Sequence, residues 1–182
     1  LVNFGVNGIQ YAIQLHLVSC GTNATLIGFI SGGISLMMLV GSLLAGKLSD
    51  KVPVGPTVCL AYLFICLCVL SMALTDNYWV MLVANSFVGL PFPLINAMLL
   101  GFIFAKSPTS MQGRITVTLT VPAQVLSMFC SAVAGTLLPV FGFHGAVLVF
   151  LAVLVASAVL VICSRSIRSI PKAAQWEHTM LR

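Results

Sequence analysis

The chain reads as an all-α membrane protein with six transmembrane helices arranged as two inverted three-helix repeats. Three observations lead there. Hydrophobic residues make up 60% of the chain and charged residues only 6%, against roughly a quarter charged in an ordinary soluble domain, so a water-facing surface could not be covered. The uncharged runs divide into stretches of roughly 20 residues, the length that crosses a bilayer. A pattern of two helices striped with polar or small residues, followed by one bland helix, occurs twice, and repeats of three helices must be inverted because three is odd.

The spans lie near 1–18, 25–46, 54–74, 78–105, 114–138 and 142–163, forming one unit over 1–165 with a basic tail over 166–182. The connections Ser19 to Ala24, Thr75 to Asn77 and Pro139 to Gly142 contain no Lys or Arg, while all 8 basic residues lie in the alternate connections and the tail. The positive-inside rule makes that side cytoplasmic and puts both ends of the chain there, in a multi-pass protein of the inner or plasma membrane. The net charge of +5 therefore matches an anionic lipid surface and not nucleic acid.

Taken in order, the first helix stacks Asn3, Asn7, Gln10 and Gln14 within about 60° of arc. Amides left unpaired in hydrocarbon cost several kcal/mol each, so this stripe must face protein or water. The second helix aligns Gly28, Gly32, Ser35, Ser42 and Gly46, with Gly33 and Gly41 nearby; small stripes permit close backbone approach. The third, with Thr57, Tyr62, Ser71 and its cysteines, reads as a lipid-facing support.

The fourth helix sets Asn85, Gly89, Phe92 and Asn96 on one side and is interrupted by Pro91 and Pro93, each of which removes a backbone donor. The fifth aligns Thr116, Thr120, Gln124, Ser127 and Ser131 within about 80° of arc. The sixth has only Ser157. The cysteines within apolar runs read as small packing residues, not as disulfides or ligands. His16 reads as a structural histidine and His144 as a solvated one.

Gly46-Lys47-Leu48-Ser49-Asp50-Lys51 carries the first charges of the chain. It resembles the Gly-x-Leu-x-Asp-(Arg/Lys) signature between the second and third helices of each half of major facilitator superfamily transporters. Val52-Pro53-Val54-Gly55 departs from the usual continuation, as the copy in the C-terminal half generally does. The connection Ala105 to Ile115, with Pro108, Gly113 and Arg114, is similar to that of the macrolide-efflux and siderophore-exporter branch. The resemblance implies half of a major facilitator fold, the last six of its helices, partnered by an N-terminal six-helix half. Leu1, with a helical pattern already running, likewise predicts a piece of a longer chain.

Asn7, Gln10, Tyr11, Gln14, Asn85, Phe92, Asn96, Thr120 and Gln124 form the expected wall of a substrate cavity, since amides and aromatics suit an organic compound of little charge. Gly46, Asp50, Lys51, Lys106 and Arg114 form the expected cytoplasmic gate, in which a carboxylate pairs with bases in one conformation and releases them in another. No Asp, Glu, Lys or Arg falls within a span, so a proton carrier is expected in the other half. No nucleophile, phosphate loop or metal-ligand cluster is written into the sequence, and neither an enzyme nor a cofactor is expected. The reading is a proton-coupled exporter of an organic compound or drug. The alternatives are an uptake permease for a sugar or metabolite and, from another class, a non-transporting assembly protein or channel subunit.

Overall fold

The computed structural model describes residues 2–48 and 52–164, without the side chains of Lys106 and Thr109. Asp50, Lys51 and the tail over 166–182 lie outside the described residues. Helices α1 (Val2–Ser19), α2 (Ala24–Leu48), α3 (Val54–Ala73), α4 (Tyr78–Gly89), α5 (Phe92–Lys106) and α6 (Thr109–Cys163) account for nearly all of it, with no strand among the described residues. Four stretches are long and apolar enough to cross a membrane: Ala24–Leu48, Val54–Ala73, Tyr78–Ala105 and Ser110–Cys163. The amide stripe of α1 lowers its hydropathy below theirs.

Local chemistry sets the helix ends. At the end of α1, Thr22 N–H donates to Leu17 O and Gly21 N–H to Val18 O, both at 3.0 Å, while Gly21 takes φ 67°. This is a Schellman closure, which needs a left-handed residue that glycine supplies without strain. Asn23 Oδ1 then accepts from Thr25 N–H at 3.0 Å and starts α2. Asn77 Oδ1 does the same for Trp79 N–H at 2.9 Å at the head of α4. Pro91 separates α4 from α5. The expected connection from Ala105 to Ile115 is mostly helical, broken only at Ser107 and Pro108, where extended backbone precedes the helix start at Thr109.

Helix α6 is not one rod. Asn7 donates to Ser127, while the neighbouring Gly8 lies against the ring of Phe150. In a straight helix Ser127 and Phe150 would be about 34 Å apart, far beyond the reach of adjacent residues on α1. The chain folds back at Gly142, whose φ 69° and ψ −177° are open to glycine and strained for other residues. The result is a first arm before Gly142 and a second arm after it.

Two sets of glycines fix the packing. Between α2 and α4, Gly33 meets Ser86, Gly41 meets the Leu90 carbonyl, and Gly89 meets Ile34 and Met38. Residue numbers rise together, so these helices run parallel. Between α1 and the second arm, Gly5 meets Leu154 and Gly8 meets Phe150, and here the helices run antiparallel. In lipid, where apolar transfer contributes little to helix association, such close backbone contact is a main source of attraction. The close-packing glycines of α2 are thus Gly33 and Gly41. The expected stripe of Gly28, Gly32 and Gly46 is open, with no heavy atom within 4 Å of a Cβ added at any of them.

Helix α3 corrects another expectation. Its outer face, with Leu60, Leu63 and Leu67, is exposed, but Val58, Tyr62, Ile65, Val69 and Met72 are buried. It packs against α4, α5 and α6. It is therefore as much a core helix as a lipid-facing one.

Candidate functional site

The polar groups of α1 fall into three environments. Asn7 Nδ2 donates to Ser127 Oγ on α6 at 3.3 Å, and Gln14 Nε2 to Ser31 Oγ on α2 at 3.3 Å. Both amides thus tie helices together. Gln10 Oε1 is sealed from solvent with no hydrogen-bond partner among the described residues. Tyr11, 41% exposed, points away from the bundle, and Asn3 lines a cleft.

The α4 and α5 candidates separate in the same way. Asn85 is 2% exposed, and its Nδ2 donates to Ile30 O at 3.3 Å, so its amide bridges α4 to α2 and is removed from any cavity surface. Phe92 and Asn96, beyond the Pro91 break, line the same cleft as Asn3. On the first arm of α6, Thr120 donates to Thr116 O at 2.8 Å and remains exposed, as does Gln124.

The cleft has a volume of about 240 Å³ and is bounded by Asn3 and Phe4 of α1, Tyr62 of α3, Phe92 and Asn96 of α5, and Ser157 of α6. Tyr62 and Ser157 are buried, and neither hydroxyl has a hydrogen-bond partner among the described residues. The sequence reading placed neither in the cavity wall. A single polar residue on an apolar helix has no periodic partner to mark it; only its neighbours in space do. A larger groove of about 610 Å³ lies between α3 and α4, bordered by Phe64, Leu67, Trp79, Val83 and Phe87. Its one hydroxyl, Ser71, already donates to Cys68 O at 2.7 Å. Its lining is otherwise almost wholly apolar, with the Trp79 indole at its border.

At the end of the bundle bearing Lys47 and Arg114, Gln112 Nε2 donates to Phe104 O at 3.2 Å and braces the Ser107–Pro108 break. Arg114 is exposed beside Met111 and Thr118, and Gly46 has open space around it. Among the described residues no acid meets Arg114. Asp50 and Lys51 fall outside them, as does the Lys106 side chain.

The opposite end gathers groups from three connections. His144 Nε2 is 3.3 Å from Asp76 Oδ1, His16 stacks on Phe143 with ring centroids 4.3 Å apart, and Cys20 Sγ is 3.9 Å from His16 Nε2. His144 thus remains solvent-exposed while lying within reach of the Asp76 carboxylate. Among the described residues no three His, Cys, Asp or Glu side chains converge as a metal site.

The described residues thus form an all-helical bundle with exposed polar groups on several helices and a cleft lined by amides, hydroxyls and aromatic rings. The family model for the Major Facilitator Superfamily matches residues 1–180. The chain belongs to the major facilitator superfamily. Comparisons with curated proteins and with solved structures found no match. This major facilitator chain is an integral membrane protein of a transporter superfamily. Its Gly46-Lys47-Leu48 segment lies at the end of α2, and Val52-Pro53 leads into α3, so the signature occupies a helix-to-helix connection.

Proposed function

We propose that the chain is the C-terminal six-helix half of a secondary active transporter that exports an organic compound in exchange for protons by alternating access. The observation that carries the reading is the combination of an ordered bundle with an uncovered polar surface. Asn7, Tyr11, Ser35, Ser42, Thr120 and Gln124 are exposed on helices that lipid would surround; the Gln124 amide and the Tyr11 hydroxyl have no partner among the described residues, and such groups do not face hydrocarbon. A second six-helix half and a water-filled cavity between the halves would cover them.

Packing supports the two inverted repeats. Count α4 with α5 as one broken helix and the arms of α6 as two. The first helix then packs on the fifth and sixth through Asn7–Ser127 and Gly8–Phe150. Exchanging first with fourth, second with fifth and third with sixth turns those pairs into fourth–second and fourth–third. Both occur, as α2 with α4 and α3 with α4. A pseudo-two-fold axis in the membrane plane is the expected origin.

In this reading the end bearing Lys47 and Arg114 is cytoplasmic, both termini lie there, and the membrane is the inner or plasma membrane. Gly46, Asp50, Lys51, Lys106 and Arg114 form its gate. The cavity wall draws on Gln10, Phe92, Asn96, Thr120 and Gln124, with Asn85 as an internal brace. The described spans hold no acid, so the proton carrier belongs to the other half.

The test is retention of a panel of neutral organic dyes in exporter-deficient cells that express the complete protein. Export predicts reduced retention that is restored when the proton gradient is collapsed, and slowed depletion in Asp50→Asn. Proton-driven accumulation would point to an uptake permease. No gradient-dependent effect, with the polar faces crosslinking between identical copies, would point to an assembly or channel subunit.

A further inference from the structure

We propose that the cleft floored by Tyr62 and Ser157 is a binding site for a small, planar, uncharged group that both donates and accepts hydrogen bonds, an amide being the simplest example. The proposal names the substrate class of the transport reading. It rests on that reading for its role and on the cleft alone for its chemistry.

Four features converge. Tyr62 is 9% exposed and Ser157 6%, yet both line the cleft, and their hydroxyls have no partner among the described residues. Gln10 Oε1 is the sealed polar atom left without a partner among the described residues; the two hydroxyls instead open onto the cleft, each with free capacity to donate and accept, so each favours an occupant that completes it. Asn3 and Asn96 on the rim each offer a donor and an acceptor. Phe4 and Phe92 contribute aromatic surface, which favours a flat group. Among the described residues no charged side chain lines the cleft, and an ion brought into a weakly polar site without a counter-charge loses several kcal/mol of hydration. At about 240 Å³ the space is below the roughly 300–1,000 Å³ of a pocket for a drug-sized ligand. It therefore takes a small molecule or one end of a larger one.

Benzamide, benzoate and benzylammonium share a ring and differ in charge. Their binding to the complete protein in lipid nanodiscs is read by ligand-observed saturation-transfer NMR. Benzamide should bind and the two ions should not. Tyr62→Phe and Ser157→Ala should each weaken benzamide about three- to tenfold, the effect of one lost hydrogen bond, at unchanged Tm. Asn96→Leu, on the exposed rim, repeats the test at a position that packing does not depend on. No benzamide signal, equal binding of the ions, or unaltered affinity in all three variants would overturn the proposal. A protein that moves organic compounds without binding benzamide would sink the cleft and leave the transport reading. A protein that binds benzamide in this way but moves nothing would do the reverse.

Discussion

Helix α1 and the pair formed by α3 with the second arm of α6 use polar groups in opposite ways. Along α1, Asn7 and Gln14 are engaged by serines of neighbouring helices. Gln10 Oε1 is left sealed without a partner among the described residues, whereas on α3 and the second arm the hydroxyls of Tyr62 and Ser157, on largely buried residues, lack such partners and open onto the cleft. A polar side chain in a membrane bundle therefore does not mark a binding site by its presence. It marks one when packing leaves its hydrogen-bonding capacity incomplete and open to a cleft.

The contrast can be broken most severely at the α1 interface with the second arm. Gly8→Val places a branched side chain against the ring of Phe150, which is fully buried and has no room to withdraw. We expect a loss of about 1–3 kcal/mol, typical of overpacking, read as a lower Tm in detergent, together with loss of the cleft. Next in size is Asn85→Leu, which removes the buried bond to Ile30 O. Interhelical bonds in membranes average about 0.6 kcal/mol and reach about 1.7, and this buried one should lie toward the upper end. Asn7→Ala and Gln14→Ala should each remove about 0.6 kcal/mol or less, because water reaches both bonds more readily.

Smaller still is the tie between Asp76 and His144, both well exposed. At this exposure it contributes about 0–1 kcal/mol. Asp76→Asn should lower stability, read as Tm, by no more than that small contribution. The smallest expected effect sharpens the comparison most: Tyr62→Phe should leave the unfolding free energy within about 0.5 kcal/mol of the parent, since no protein hydrogen bond is lost. A large destabilisation would show that the hydroxyl is engaged within the protein, and would place Tyr62 with Asn7 instead of opposite it.

Much of the fold was legible residue by residue. Pro91 falls at the break between α4 and α5, as its missing backbone donor predicts, and the fold-back of α6 falls at Gly142, the last residue of an uncharged connection. The site was legible only in part. Asn96 and Phe92 reach the cleft, but Asn85, on the same predicted face, is turned to Ile30 because the Pro91 break interrupts that face. In α2 the visible stripe of Gly28, Gly32 and Gly46 is open, while Gly33 and Gly41, beside it, carry the contact. Periodicity identifies a stripe without saying which neighbour it meets.

The sequence by itself determined that this protein lives in a bilayer, where its polar and charged groups fall along the chain, and where its helices are interrupted. These follow from transfer free energies and backbone constraints that each residue carries locally. Only the tertiary structure decided which of those groups are engaged. The bonds from Asn7 to Ser127 and from Asn85 to Ile30 O, and the cleft that unites Asn3, Tyr62, Asn96 and Ser157, join residues far apart in the chain. Hydrogen-bond completion is a property of neighbours in space, and helix packing chooses those neighbours.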